Sequence, residues 1–485
     1  MTRRVFLLAL LVALVAAAPA AAFTPTDPLS AKQWYLADDH AFDAWPTPPT
    51  YLQPVKVAVV DSGVDCSLPD FAGRIVASRS FVGGDPCTDT EGHGTFVAGI
   101  IAANLDNEGI VGIAYTAQLL VAKVVRGDGS IPLQAEADAI RWATDSGARV
   151  INLSLGGVRD PAMPTRDTYS ALEASAVQYA VSKGVLLVAA VGNGDEAYSQ
   201  PWPYASYPAA LPHVVGVSAL TQSGNVPDYS NRDPVFNDLS APGSGVFSTF
   251  PLALTAAHPT CPDQGYSDCG TDDYQDPEGT SFAAPQVSAA AAVLMAIDPN
   301  LTASQTSTIL ERSTDDVNAA TGCPRCAVGR DPLSGFGRLD VAKAVAALTA
   351  QPLPAPDADE PNDDAGAQAF TLWGRQRTLD ATLDAYDDPI DVYRVAIGKH
   401  ERLSARVTGN WPGAQVSLTL WRPGTTKLST ARAKSQRAAQ TARPGAVQHI
   451  AFTSLSQGWY YVEVKVSGGG AGPYTLQIDK TATSR

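Results

Sequence analysis

The sequence predicts an α/β layered fold with a mainly parallel central sheet, followed by an all-β sandwich. Three observations carry this. From Val55 to about Leu348, short unbroken apolar runs alternate with helical segments. Such runs without polar alternation suit strands covered on both faces, as in a parallel sheet. Pro352-Leu353-Pro354-Ala355-Pro356 then makes a stiff linker. Beyond it the period changes to two, with turns rich in Gly and Pro, which is the pattern of a sandwich.

In chain order, strands are expected at Lys56–Val60, Gln118–Val124, Val150–Leu153, Val185–Ala190 and Val214–Ser218. Helices are expected near His93–Ala103, Leu133–Ser146 and Thr168–Lys183. An Ala-rich helix should run from Ser281 to about Ala296, where Asp298-Pro299 stops it. In the sandwich, alternation marks Asp391–Ile397, Arg402–Val407, Gln415–Trp421, Gln448–Phe452, Gly458–Val466 and Tyr474–Ile478. The expected division is an export leader at 1–22, an N-terminal arm at 23–54, an α/β domain at 55–350, a linker at 351–360 and the sandwich at 361–485.

Residues 1–22 have the grammar of an export signal. Arg3-Arg4 is the charged start, Phe6 to Ala17 the apolar run, and Ala18-Pro19-Ala20 and Ala20-Ala21-Ala22 the small-residue cleavage sites. Thr2-Arg3-Arg4-Val5-Phe6-Leu7 also has the form of a twin-arginine signal, so Sec and Tat export both remain open. No later segment reads as long and apolar enough to span a bilayer. Formal net charge is −15, which argues against binding nucleic acid through its phosphates. Six cysteines in an exported chain read as three disulfides. Local loop closure favours Cys66–Cys87, Cys261–Cys269 and Cys323–Cys326 among the 15 pairings that six cysteines allow.

The chemistry is carried by residues at the ends of regular elements. Val57-Ala58-Val59-Val60-Asp61 is an apolar strand ending in an acid. Gly92-His93-Gly94-Thr95 opens a small-residue helix. Val185 to Ala190 is a buried strand running into Val191-Gly192-Asn193-Gly194. Gly279-Thr280-Ser281 delivers a hydroxyl to a helix start, beside free backbone N–H groups and the positive helix end. A Thr-Ser pair there is often only an N-cap, and Gly192-Asn193-Gly194 would suit a turn. The four blocks in this order resemble the subtilisin-like serine proteases (subtilases, peptidase S8), over roughly residues 29–348. The resemblance implies a secreted serine endopeptidase acting on protein or peptide substrates. Ser281 would be the nucleophile, His93 the general base and Asp61 the residue that orients the imidazole. Asn193 would donate to the oxyanion alongside the Ser281 N–H.

By the same resemblance, Ser154, Leu155 and Gly156 would pair with the substrate backbone as an added strand. Ala190-Val191-Gly192 and Ser206-Tyr207-Pro208 would line the primary specificity pocket. No acid stands at those matched positions, so a mid-sized apolar preference is expected. Asn104-Leu105-Asp106-Asn107-Glu108-Gly109 resembles the family's calcium loop, with Asp70, Asp106 and Gln33 as candidate ligands for a structural Ca²⁺; no cofactor is expected for the chemistry itself. The short stretch between leader and arm is too small for the inhibitory segment that most secreted relatives carry there. Residues 158–168 and 251–278 extend the simplest family pattern near the cleft. Asp359-Glu360-Pro361-Asn362-Asp363, followed by Asp388-Pro389-Ile390-Asp391-Val392-Tyr393, resembles the bacterial pre-peptidase C-terminal domain, for which binding of substrate or cell surface competes with a structural or export role. A narrow processing protease and a catalytically idle protease fold are the alternative readings.

Overall fold

The computed structural model describes residues 23–45, 47, 52–194, 197–270, 272–275, 277–348, 362–384, 388–409, 415–428, 435–466 and 471–482. The leader at 1–22 and the linker at 351–360 lie outside the described residues.

The centre is a seven-stranded sheet in the order β2-β3-β1-β4-β5-β6-β7. Its strands are β1 (Lys56–Asp61), β2 (Ile75–Ser80), β3 (Gln118–Lys123), β4 (Val150–Leu153), β5 (Leu186–Ala190), β6 (Val214–Leu220) and β7 (Leu239–Pro242). Every pairing is parallel. Alternate side chains leave opposite faces of each strand, and both faces are buried. Val57, Val59, Leu119, Val121, Val150 and Val188 enter one apolar layer, while Ala58, Val60, Leu120, Ala122, Ile151 and Ala189 enter the other.

The helices are α1 (Tyr35–Asp38), α2 (His93–Ala102), α3 (Leu133–Asp145), α4 (Ala171–Ser182), α5 (Leu252–Thr255), α6 (Asp272–Gln275), α7 (Thr280–Ile297), α8 (Ala303–Arg312) and α9 (Val341–Ala347). α2 and α7 cover the first layer, and α3 and α4 the second. The alanines of α7 let it lie close to the sheet, and it is buried along nearly its whole length. By length and composition α7 could cross a membrane, contrary to the sequence expectation that no such segment exists. Its burial identifies it as the core helix.

Four other differences have local causes. β2, β7 and α8 were not distinguished in the sequence: β2 is an edge strand with half its residues exposed, β7 has four residues, and α8 is polar. α4 begins at Ala171 rather than Thr168, because Thr168 N–H donates to Val158 O (3.0 Å) and the Ser170 hydroxyl accepts from Glu173 N–H as the N-cap. The three disulfides are Cys66–Cys87, Cys261–Cys269 and Cys323–Cys326.

The C-terminal region contains β8 (Phe370–Leu372), β9 (Gln376–Asp384), β10 (Ile390–Ile397), β11 (Glu401–Gly409), β12 (Val416–Trp421), β13 (Arg437–Gln440), β14 (Val447–Thr453), β15 (Gly458–Val466) and β16 (Ala471–Ala482). They form a five-stranded sheet, β13-β12-β15-β10-β8, and a four-stranded sheet, β14-β11-β16-β9. Tyr393, Val395, Leu403, Leu418, Val462 and Leu476 are among the side chains of the shared core. His213 Nε2 meets Asp363 Oδ2 at 2.5 Å, and Lys427 lies over the Tyr169 ring at 4.6 Å.

Candidate active site

Parallel α/β sheets present their ligand sites at the carboxyl ends of the strands. Asp61 is the last residue of β1, which lies beside the central strand β4. Its carboxylate is buried, and Oδ1 and Oδ2 lie 2.9 and 3.0 Å from His93 Nδ1. Ser62 N–H also donates to Oδ1 at 2.7 Å. A carboxylate on Nδ1 fixes the tautomer in which Nε2 is the proton acceptor. The next residue, Gly94, explains the spacing. A Cβ there would stand 2.1 Å from Gly63 O and 3.1 Å from Asp61 Cβ, so only glycine lets α2 approach β1 this closely.

Asp89, which the sequence reading passed over, holds the start of α2. Its Oδ1 accepts from Glu91 and Gly92 N–H, and its Oδ2 from Thr95 N–H (2.9 Å) and the Thr95 hydroxyl (2.6 Å). Ser62 Oγ donates to Asp89 Oδ1 (2.9 Å) and accepts from Gly94 N–H (2.9 Å), joining this cap to the end of β1. The available signal was an aspartate just before a Gly-rich helix start.

Ser281 lies in the first turn of α7. The following residue, Phe282, lies against the His93 ring, with centroids 5.6 Å apart, and against Phe96 of α2 at 4.5 Å. Those contacts seat the start of α7 beside the start of α2. Ser281 Oγ donates to Ser154 O at 3.3 Å, and Ser154 Oγ donates to Ser281 O at 2.7 Å. The second bond follows from Pro285, which has no N–H to offer the carbonyl four residues earlier.

Asn193 follows β5 on the far side of Ser281. Its Oδ1 accepts from both the N–H and the hydroxyl of Thr280, each at 3.0 Å. This fixes the amide so that Nδ2 faces Gly279, 3.5 Å from where a Cβ would stand. An N–H held in that way, near the first N–H groups of α7, can donate to a negative oxygen forming beside Ser281. Thr280 therefore positions Asn193, a role its sequence context did not reveal.

Ser154, Leu155 and Gly156 continue from β4 along the same edge. Gly157 N–H donates to Tyr207 O (2.8 Å) and Tyr207 N–H to Gly157 O (2.9 Å), closing one side of the slot. Gly192 has φ +97°, and a Cβ there would be 2.2 Å from Ser206 Oγ, so a side chain would fill the space between these segments. Burial, aided by Asp167, pushes the Tyr207 phenol up to about 12, keeping it neutral at the pocket.

The candidate cation loop lies elsewhere, at 104–109. Asp70 Oδ1 accepts from Ile110 N–H (3.3 Å) and its Oδ2 from the Tyr266 hydroxyl (3.0 Å). Asp106 accepts from Glu108 N–H. Gln33 is engaged by the backbone instead: Nε2 donates to Val111 O and the Tyr35 hydroxyl, and Oε1 accepts from Val111 N–H. The carboxylate that reaches the loop from the arm is Asp27, buried, with Oδ1 accepting from Asp106 and Asn107 N–H and Oδ2 without a partner.

This sheet and this cleft define a serine peptidase of subtilisin-like fold. The chain belongs to the subtilase family, whose model (peptidase S8) matches residues 53–329. Thermitase of Thermoactinomyces vulgaris is 34% identical over 275 residues, 56% of this chain and 85% of that protein. Subtilisin DY of Bacillus licheniformis is 35% identical over 252 residues, 52% of this chain and 80% of that protein. Among solved structures, sphericase is similar with TM-score 0.52 and 34% identity, covering 64% of this chain and 97% of its own. As a protease of this family, the protein acts on peptide or protein substrates.

Proposed function

We propose that this protein is an exported endopeptidase that cleaves through an acyl-enzyme on Ser281. The observation that carries the reading is the pair of contacts from His93 Nδ1 to the buried Asp61 carboxylate, at 2.9 and 3.0 Å. His93 takes the Ser281 proton as the hydroxyl attacks the scissile carbonyl, then returns it to the leaving amine. Asp61 stays ionised and stabilises the imidazolium. Asn193 Nδ2 and the Ser281 N–H receive the tetrahedral oxyanion; one such donor is worth about 3 kcal/mol in the transition state. A water activated by His93 then releases the acyl group. Ser154 to Gly156 hold the substrate backbone in extended form, and the slot bounded by Val191, Gly192, Ser206 and Tyr207 takes a mid-sized apolar side chain.

A Ca²⁺ would be held by Asp27, Asp70 and Asp106. The partnerless buried oxygen of Asp27 supports that fit, and Asp106 adds to the rise that burial causes at both Asp27 and Asp70. The ion would supply charge balance and loop rigidity, with no part in bond cleavage. Residues 1–22 are read as the export leader, with Sec or Tat export left open, and the protein as extracellular. The division at 55–350 and 361–485, and the likeness of the sandwich to the pre-peptidase C-terminal domain, belong to the same reading, with substrate or cell-surface binding as the sandwich's role.

The deciding experiment is fluorophosphonate labelling of the mature protein beside Ser281→Ala, with mass mapping of the adduct. An adduct on Ser281 that the variant lacks supports the mechanism. Absence of any adduct in folded, calcium-supplied protein would overturn it in favour of an idle fold. Narrow processing has one observation in its favour: the 158–168 loop is anchored, with Arg159 paired to Asp233 at 2.7 Å and Trp202 Nε1 donating to Arg159 O. A casein digest with only one or two cuts would support that reading.

A further inference from the structure

The first turns of α3 and α4 each carry a glutamate with no part in the chemistry above. A first-turn acid is ordinarily solvated and answers the helix dipole. Glu136 and Glu173 are instead 4% and 3% exposed, on two helices that pack together. Burial first, then the charge of Glu173, raises Glu136 well above the usual carboxylate range, and burial raises Glu173 as well. Oε1 of Glu136 is buried and has no hydrogen-bond partner. Among the described residues no lysine, arginine or histidine forms an ion pair with either acid. Two apolar side chains of this size would pack there without the penalty of desolvating carboxylates. The arrangement is thus an acidic floor that lacks a cation.

Its place in the fold says where the cation comes from. α3 follows β3 and α4 follows β4, so both first turns lie at the carboxyl edge of the sheet, where Ser154 to Gly156 also lie. Leu155 packs on the apolar layer formed in part by Ala135, beside Glu136, and by Ala176, one turn from Glu173. The chain after Gly157 returns through Thr168, bonded to Val158 O, directly into the Ser170 cap that holds Glu173 N–H. Ser154 is the member of the segment that touches Ser281. The acid pair therefore lies toward the other end, away from the scissile bond.

We propose that Glu136 and Glu173 are specificity-determining residues, forming a subsite that selects a lysine or arginine upstream of the scissile bond. The proposal rests on the reading of Ser154 to Gly156 as the substrate-pairing strand. At about 3.3 Å per residue, a substrate residue opposite or just past Gly156 is the third or fourth before the cut. A long cationic side chain reaches a floor this deep, pairs with both carboxylates and gives the free oxygen of Glu136 its partner. A proton carried by the buried acids leaves to solvent as the cation enters, and no other bond changes.

The test uses the mature full-length protein and fluorogenic peptides varied at one position at a time, from the second to the fifth residue before the cut. Wild type is expected to favour Lys and Arg over Leu at one of these positions by about 10- to 100-fold in kcat/KM, the scale of a charge-assisted hydrogen bond. The Glu136→Leu, Glu173→Leu double variant, shown folded by thermal melting, should reverse that preference at that position alone. Glu136→Gln, Glu173→Gln, which keeps shape and removes charge, should abolish it. A wild type that labels with fluorophosphonate and cuts casein yet shows no upstream basic preference overturns the subsite and leaves the proposed function standing. So does a preference that survives in either double variant. A wild type that neither labels nor cuts fails the functional reading itself.

Discussion

Ser154 donates its hydroxyl to the carbonyl oxygen of Ser281 across 2.7 Å. Pro285 leaves that carbonyl without a helical N–H, so one side chain ties the strand proposed to pair with substrate to the turn that holds the proposed nucleophile. Ser154→Ala is expected to destabilise the fold by about 1–2 kcal/mol, the usual result of stranding a buried acceptor. Pro285→Ala supplies an N–H, so the same Ser154 substitution should do less harm in that background. Urea denaturation of the four proteins measures the coupling; strictly additive effects would refute the assignment.

Asn193 and Thr280 make a second pair to be separated by kinetics. Asn193→Ala should lower kcat by about 10²- to 10³-fold with little change in KM, because the lost donor acts only on the developing oxyanion. Thr280→Val keeps the backbone bond to Asn193 Oδ1 but removes the hydroxyl's bonds to that oxygen and to Gly192 N–H. A loss of about tenfold in kcat is expected, from an amide held less firmly in place. The double variant should be no slower than Asn193→Ala alone.

Asp39 gives a pH dependence. It is fully buried, and neither carboxylate oxygen has a hydrogen-bond partner. Burial first, then Asp38 and Asp340 against the opposing pull of Arg338, holds its carboxyl well above the usual range. The folded state therefore keeps this proton more tightly than the unfolded chain. Its contribution favours the fold below the unfolded value near 3.8 and declines as pH rises toward the folded value. Asp39→Asn removes the ionisation. It should raise Tm at pH 8 by at least about 2 °C more than at pH 4. Equal gains at both pH values in thermal melts would acquit the charge.

For the proposed calcium loop, Asp27→Asn and Gln33→Ala are expected to part company. Millimolar Ca²⁺ should raise the Tm of the parent over that in chelator, by an amount that grows with the ratio of ion to Kd. Asp27→Asn should lose most of that increment, because it removes a carboxylate with a partnerless oxygen at the loop. Gln33→Ala should be less stable in both conditions, having lost its bonds to Val111, yet keep the increment. The reverse pattern would return Gln33 to the ligand set.

The large features were legible because they depend on short-range pattern. Unbroken Val, Ile and Leu runs give the central strands, and small residues before alanine give α7. Asp61, His93, Asn193 and Ser281 could be singled out because each stands where such a run ends or begins. What stayed hidden depends on pairing between distant segments. Asp27 and Gln33 are six residues apart in one arm, and only the return of the chain at 104–111 decides which one meets the loop. Glu136 and Glu173 each look like an ordinary first-turn acid, and their meaning appears when α3 and α4 lie side by side. Thr280 reads as a cap until β5 delivers Asn193 to it.

α7 follows all seven strands of the central sheet in the chain and is buried along nearly its whole length. A nascent chain halted before it has one face of its sheet covered only in part, by α2, and, by the same omission, lacks the proposed nucleophile. The helix that closes the core is the one that brings Ser281. On the proposed mechanism, closure of the core and peptidase activity depend on the same helix. During refolding, fluorophosphonate uptake should follow the near-ultraviolet signal of packed aromatic rings and lag the far-ultraviolet signal of the helices.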